Sequence, residues 1–318
     1  MNADLLRSSL IYMGRSPVAK KVVTETPLRG MAQRFVAGET VDEVLEAIED
    51  ANTAGLHAIA NYLGESVGSE LQARRAADVY VELMERVRAR GLRSSASLKF
   101  TQLGQDIGDA FLRDNLSPVL HAAEQCGVFL RFDMESSEYT QPTLDAFEAL
   151  WTDGWRDIGV VLQAYLHRSV GDVHRMNRLG AQVRLCKGAY AEPPEVAFQS
   201  RDEVSRSFIE LMRLLLAEGN YPAIATHDER MIDATVEFAQ REGIGPDGFE
   251  FQMLYGVRRD LQTRLAKDGW RVSAYIPFGE AWYPYLMRRL AERPANMLFM
   301  AGSIVQETPL GFLWPKGR

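Results

Sequence analysis

Two adjacent arginines, Arg288 and Arg289, lie among aromatic residues near the end of a chain of 318 residues. In Trp282-Tyr-Pro-Tyr-Leu-Met-Arg-Arg-Leu-Ala-Glu-Arg293, helical spacing places Tyr285, Arg288, Arg289 and Glu292 on one broad face. Most Arg-Arg pairs on a helix are simply solvated. With Trp282, Tyr283 and Tyr285 on the same turn, this pair suits one small carboxylate. A guanidinium fork grips such a group through two parallel hydrogen bonds.

A second set of polar residues recurs at the ends of short apolar runs. These are Lys99, Asp133, Gln163, Arg184 with Lys187, Thr226-His227-Asp228, Gln252 and Tyr275. Taken singly each has an ordinary role. Lys99 reads as a surface charge, Asp133 as a cap of the next helix, and His227 as a loop histidine. Repeated at seven run ends, they read as a site. Lys187-Gly-Ala-Tyr190 adds a cation followed by small residues, so a flat ring or a phosphate can approach the backbone at Gly188 and Ala189. No metal site is expected. His227 lacks partners at ligand spacing, and His57, His121, His167 and His174 are scattered. Gly243-Ile-Gly-Pro-Asp-Gly248 matches the dinucleotide fingerprint by letter, but it follows a helix and precedes a strand, the inverse of the required context, and reads as a turn.

The elements that must carry these residues are legible as a rhythm. Short apolar runs at Leu56–Leu63, Ser94–Phe100, Val128–Phe132, Ile158–Leu162, Val183–Cys186, Ala223–Ala225, Phe249–Phe251 and Val272–Ile276 read as strands. Helix-period segments such as Gln72–Arg90, Leu144–Trp151, Arg201–Glu218 and Arg230–Gln240 lie between them. Eight strand-helix units fit an α/β chain folded as a (β/α)8 barrel of roughly 250 residues, with chemistry at the C-terminal strand ends. Upstream, Thr40 with Glu43 forms a capping-box pattern that opens a helix whose Val41, Val44, Leu45 and Ile48 share a face. The expected division is an N-terminal helical arm over 1–50, a barrel over 51–296 and a C-terminal tail over 297–318.

Composition sets outer bounds. A net charge of −7 implies no basic face, so nucleic acid is not an expected partner. Two cysteines, Cys126 and Cys186, form neither a disulfide framework nor a zinc pattern. No run reaches the roughly 20 apolar residues of a spanning helix.

Together these stretches resemble the proline dehydrogenase family. The resemblance rests on Ser97-Leu-Lys-Phe100, Phe132-Asp-Met134, Val161-Leu-Gln-Ala-Tyr165, Arg184-Leu-Cys-Lys-Gly-Ala-Tyr190, Ala225-Thr-His-Asp228, Phe249-Glu-Phe-Gln252, Tyr275-Ile-Pro-Phe-Gly279 and Tyr285-Leu-Met-Arg-Arg-Leu-Ala-Glu292, in the family's order. It implies a distorted (β/α)8 barrel that holds FAD and oxidises L-proline to 1-pyrroline-5-carboxylate, in the monofunctional form. By motif, Lys99, Arg288 and Arg289 bind the substrate carboxylate, while Tyr275 and Leu254 wall the pocket. Asp133 and Arg184 are the active-site pair, with Arg184 toward the flavin N5 region. Met134, Gln163, Lys187, Gly188, Ala189, Thr226 and His227 hold FAD, and Glu65 gates the site by pairing with Arg288. Cys186 stands where the family often has valine, a change expected to have little effect because the side chain is small and apolar. The family also implies a quinone acceptor, and hence a cytoplasmic protein with peripheral contact at the inner face of a membrane. The oligomeric state stays open.

Without the resemblance, the residues also allow a Schiff-base aldolase using Lys99 or Lys187, or a flavin-binding sensor without turnover. Hydroxyproline is the nearest rival substrate within the family, and the bulk of Tyr275 favours proline.

Overall fold

The computed structural model describes residues 34–64 and 67–292, with backbone alone for 288–292. Eight parallel strands close into a barrel in chain order: β1 His57–Tyr62, β2 Ser94–Leu98, β3 Leu130–Phe132, β4 Ile158–Gln163, β5 Gln182–Cys186, β6 Ala223–Ala225, β7 Glu250–Leu254 and β8 Val272–Phe278. The helices are α1 Val41–Thr53, α2 Glu70–Ala89, α3 Asp109–Cys126, α4 Ser137–Thr152, α5 Ser169–Leu179, α6 Arg201–Glu218, α7 Glu229–Arg241, α8 Arg259–Lys267 and α9 Trp282–Glu292. The expected (β/α)8 barrel is therefore the observed one.

Local signals explain where helices begin. Thr40 accepts from the Glu43 backbone while the Glu43 side chain returns to the Thr40 backbone, a capping box repeated at Ser200 and Glu203 for α6. Such a cap contributes about 1 kcal/mol. The helices then bury one stripe each. In α2 the stripe is Ala73, Ala76, Ala77, Tyr80, Leu83, Met84 and Val87, at helical spacing. Each fully buried Leu or Met of this kind contributes roughly 1.5–3 kcal/mol.

The strands are apolar on their outer face, where the helices pack. Their inner face differs. Strand residues alternate between faces, and the register aligns Asn61 with Ser97, Ser97 with Arg131, and Gln252 with Ser273. Polar side chains therefore share the barrel interior, where Ser97, Arg131, Arg184, Glu250, Gln252 and Ser273 are all buried.

Two helices depart from simple alternation. α1 packs against β1 and β8, filling the outer position between the last strand and the first. The chain leaves β8 through Gly279, whose φ of +120° suits glycine and whose missing Cβ leaves room for the Tyr62 ring. α9 then buries Trp282, Tyr283, Tyr285, Leu286 and Met287 in a cluster with Val36 and with Leu63, the residue that follows β1. The Trp282 indole donates to Glu39 at 2.7 Å. α9 thus starts at the C-terminal mouth of the barrel instead of beside β8. Among the described residues no helix is long and apolar enough to cross a membrane.

Candidate active site

The polar strand ends converge on one buried carboxylate. Asp133 follows β3. Its Oδ1 accepts from Ser97 Oγ at 2.7 Å and from Arg184 Nη1 at 2.5 Å, and its Oδ2 accepts from the Tyr275 hydroxyl at 2.6 Å. These partners come from β2, β5 and β8, so four strands meet at one group. Burial alone would raise the Asp133 carboxyl. Arg184 and Lys99, with hydrogen bonds from Tyr275 and Ser97, outweigh it and hold the group below its ordinary value. Asp133 is therefore an anion at neutral pH and a poor general base.

Arg184 is held from the opposite side as well. Its Nε donates to Gln252 Oε1 on β7, and its guanidinium lies 5.2 Å from the centre of the Tyr275 ring, within cation–π range. Nη1 serves Asp133 and, at 3.2 Å, Ser97. Nη2 is buried and finds no hydrogen-bond partner among the described residues. A buried guanidinium donor without an acceptor is costly, and a bound ligand with an acceptor atom would remove that cost.

Tyr275 sits between the two charges. Burial first, then the Asp133 charge, push its phenol well above the ordinary value, so it stays a hydrogen-bond donor. Tyr285, from the first turn of α9, pushes it in the same direction, which brings α9 to this end of the barrel.

Around this centre lie the remaining sequence-predicted residues. Lys99 directly follows β2, is buried, and acts electrostatically on Asp133. Met134 is buried beside Asp133, and Gln163 ends β4, donating to the Glu135 carbonyl at 2.8 Å. After β5, Lys187 donates to Asp228 at 2.8 Å. Burial would raise the Asp228 carboxyl, but Arg230 and Lys187 pull it down to about 2. Gly188 has φ +106°, and a Cβ there would meet the Tyr165 ring at 2.2 Å. Only glycine fits that turn, so the backbone after Lys187 stays open to close approach. Thr226 is buried after β6. His227 Nε2 accepts from the Leu254 amide at 2.9 Å, which assigns the proton of the neutral ring to Nδ1 and ties β6 to the end of β7. Cys186 ends β5, half-buried, with Sγ 3.6 Å from the Leu162 carbonyl. Glu65 lies outside the described residues, as do the side chains of Arg288, Arg289 and Glu292.

Several residues with clear places here carried no role from their sequence context. Ser97 bonds Asp133. Gln252 Nε2 donates to Glu250, which also accepts from Ser273 at 2.6 Å. Thr101 bonds the buried Glu135 carboxylate at 2.6 Å. A signal existed for three of them: Ser97, Glu250 and Ser273 stand two positions before Lys99, Gln252 and Tyr275, and so face the same side of their strands. Arg131 stands likewise before Asp133. Burial, then Arg184, lowers Arg131 to about 9, so it is a cation at neutral pH.

A closed parallel barrel with a buried, charged centre at its C-terminal mouth is an enzyme architecture. Among the described residues no group of His, Cys, Asp or Glu is placed to hold a metal ion. The donors that are present fit a large anionic cofactor: the unfilled Arg184 Nη2, Lys187, and the glycine turn behind it.

Comparison with known proteins specifies the class. A sequence profile for proline dehydrogenase matches residues 44–302. Proline dehydrogenase of Deinococcus radiodurans is 36% identical over 95% of this chain and 99% of its own length. Proline dehydrogenase 2 of Bacillus subtilis is 36% identical over 93% and 97%. Among solved structures, proline utilization A (PutA) of Bdellovibrio bacteriovorus, inactivated by N-propargylglycine, superposes with a TM-score of 0.80 at 26% identity, covering 93% of this chain and 36% of that one. The chain belongs to the proline dehydrogenase family. It is an oxidoreductase of a flavin-dependent family, and the aldolase and sensor readings fall with that assignment.

Proposed function

We propose that the protein oxidises L-proline to 1-pyrroline-5-carboxylate. FAD bound at the barrel mouth would supply the chemistry, accepting the hydride at N5 and passing electrons to a quinone. The observation that carries the reading is Arg184. It is buried, anchored through Nη1 by Asp133 and Ser97 and through Nε by Gln252, and keeps Nη2 without a partner among the described residues.

The protein's own groups have separable tasks. Lys99, Arg288 and Arg289 clamp the substrate carboxylate, and Tyr275 and Leu254 confine the ring. Fixing the reacting carbon this way lowers the barrier by several kcal/mol through orientation alone. Cations around the carboxylate also favour loss of a proton from the substrate nitrogen to solvent water, because a further positive charge is disfavoured there. The neutral amine can then release hydride from the adjacent carbon. Arg184 offers fixed positive charge where negative charge accumulates. Asp133 keeps Arg184 and Tyr275 in place and does not accept a proton. Met134, Gln163, Lys187, Gly188, Ala189, Thr226 and His227 line the cofactor. Glu65 pairs with Arg288 when the site is empty. Residues 1–50 form an arm, 51–296 the catalytic barrel and 297–318 a tail, and the protein works at the cytoplasmic face of a membrane.

The test is steady-state oxidation of L-proline with a dye acceptor. Arg288→Lys and Arg289→Lys are each expected to raise KM for proline at least about tenfold while FAD stays bound, since a point cation cannot reproduce the fork. Wild-type KM in both variants would contradict the carboxylate assignment.

A further inference from the structure

Arg184 Nε reaches an acceptor only because a glutamine side chain is turned the right way. Gln252 has two nearly identical faces, an oxygen that accepts and an NH2 that donates. Its Oε1 accepts from Arg184, and its Nε2 donates to Glu250. Arginine can only donate, and both Glu250 oxygens accept, Oε1 from Gln252 and Oε2 from Ser273, so this is the one orientation that satisfies both neighbours. Glu250 is in turn fixed by Ser273, whose hydroxyl donates to its other oxygen at 2.6 Å. It is buried, and it favours the cationic form of Arg131.

We infer that Glu250 is a positioning residue for the active site: it locks the polarity of the Gln252 amide and thereby aims the Arg184 guanidinium at the reacting centre. Glu250 lies two residues below Gln252 on β7 and contacts neither Asp133 nor Tyr275 by any described hydrogen bond. It acts through Gln252. The order Ser273, Glu250, Gln252, Arg184, Asp133, Tyr275 begins and ends on β8, so the chain of bonds braces the barrel interior across three further strands.

Glu250→Gln is the informative change. It preserves shape but, with Ser273 still donating to its oxygen as it does to Glu250, it turns its NH2 toward Gln252. When the donor faces Gln252, the Gln252 amide reverses and opposes its NH2 to Arg184 Nε. The expected result is a fall in kcat of about tenfold with KM for L-proline within about twofold. The two-electron midpoint potential of the bound flavin should fall by about 30 mV, the equivalent of a tenfold change in equilibrium. The swapped variant Glu250→Gln/Gln252→Glu again sets an acceptor-only group beside Arg184, and should recover most of the lost kcat. Independently of any cofactor, the Arg184 Nε–H signal in 15N-arginine-labelled protein, assigned through Arg184→Lys, should exchange slowly in wild type and quickly in Glu250→Gln.

Wild-type kcat, potential and exchange in Glu250→Gln would overturn the inference, as would a swapped variant no better than the single one. Should Glu250→Gln not fold, Gln252→Met removes the link and leaves Glu250 with Ser273. The same losses are then expected, and wild-type values overturn the inference. The kinetic arm rests on the proline-oxidising reading. A wild-type protein that fails to oxidise proline defeats that reading, whereas the exchange measurement still decides the role of Glu250.

Discussion

Two carboxylate–cation pairs stand at the barrel mouth, and they are built differently. Asp133–Arg184 bridges β3 and β5 with side chains 11% and 6% exposed, and both partners have additional hydrogen bonds. Lys187–Asp228 joins the loops after β5 and β6 with side chains 25% and 21% exposed. The first pair is almost wholly shut off from solvent. It persists because Ser97, Tyr275 and Gln252 satisfy much of what the pair itself does not, with only Arg184 Nη2 left over among the described residues. The second keeps solvent on one side and can exchange partners. The rigid pair suits a group that must hold one orientation toward a reacting atom. The looser one suits a cation that holds part of a cofactor able to enter and leave.

Removing one member of each pair sharpens the contrast. Asp133→Ala leaves a buried guanidinium uncompensated, and about 3–5 kcal/mol of stability should be lost in denaturant titration. Oxidation of proline should fall below about 1% of wild type, since a misaligned charge loses most of its electrostatic benefit. A stable, active Asp133→Ala would erase the distinction between the two pairs.

Acid titration compares them without truncation. Both carboxyls are held below their ordinary values, Asp228 at about 2. The unfolded chain binds protons first, near its unperturbed value of about 4. Each pair therefore contributes stability that is full above about pH 4 and declines as pH falls through the folded value. For Asp228 that window runs from about 4 down to about 2. Asp228→Asn should flatten this part of the acid unfolding limb, and an unchanged limb would remove the pair from the account.

Lys187→Met should have the smallest effect on folding. A partly exposed ion pair between two loops contributes about 1 kcal/mol or less. Its loss should appear instead in cofactor retention, with the dissociation constant for FAD rising about tenfold, the worth of one charge-assisted bond. A change in stability without one in FAD affinity would reverse the assignment of Lys187.

Much of this arrangement was legible in the chain. Eight apolar runs became eight strands because each is bounded by turn residues and spaced by a helix. Lys99, Asp133, Arg184 and Tyr275 came together because strand ends in a closed barrel must converge. Helices were less evident where burial is sparse: α8 buries only Leu261, Gln262 and Leu265, too few for a clear stripe. The placement of α9 was not legible, because it depends on packing against Val36 and Leu63 and on the Trp282–Glu39 hydrogen bond, contacts between distant parts of the chain. The inner layer of Ser97, Arg131, Glu250 and Ser273 is hidden in the sequence for another reason. A polar residue inside a strand looks like an interruption until its neighbour two positions on is known to be functional.

The proposed function requires that this barrel mouth hold a flavin and deliver electrons to it from proline. The most direct measurement is the visible spectrum of the purified protein under anaerobic conditions, before and after L-proline. The expected result is a flavin spectrum that bleaches on adding proline and fails to bleach at a comparable rate in Asp133→Ala. A colourless protein, or a flavin spectrum that proline leaves unchanged, would contradict it.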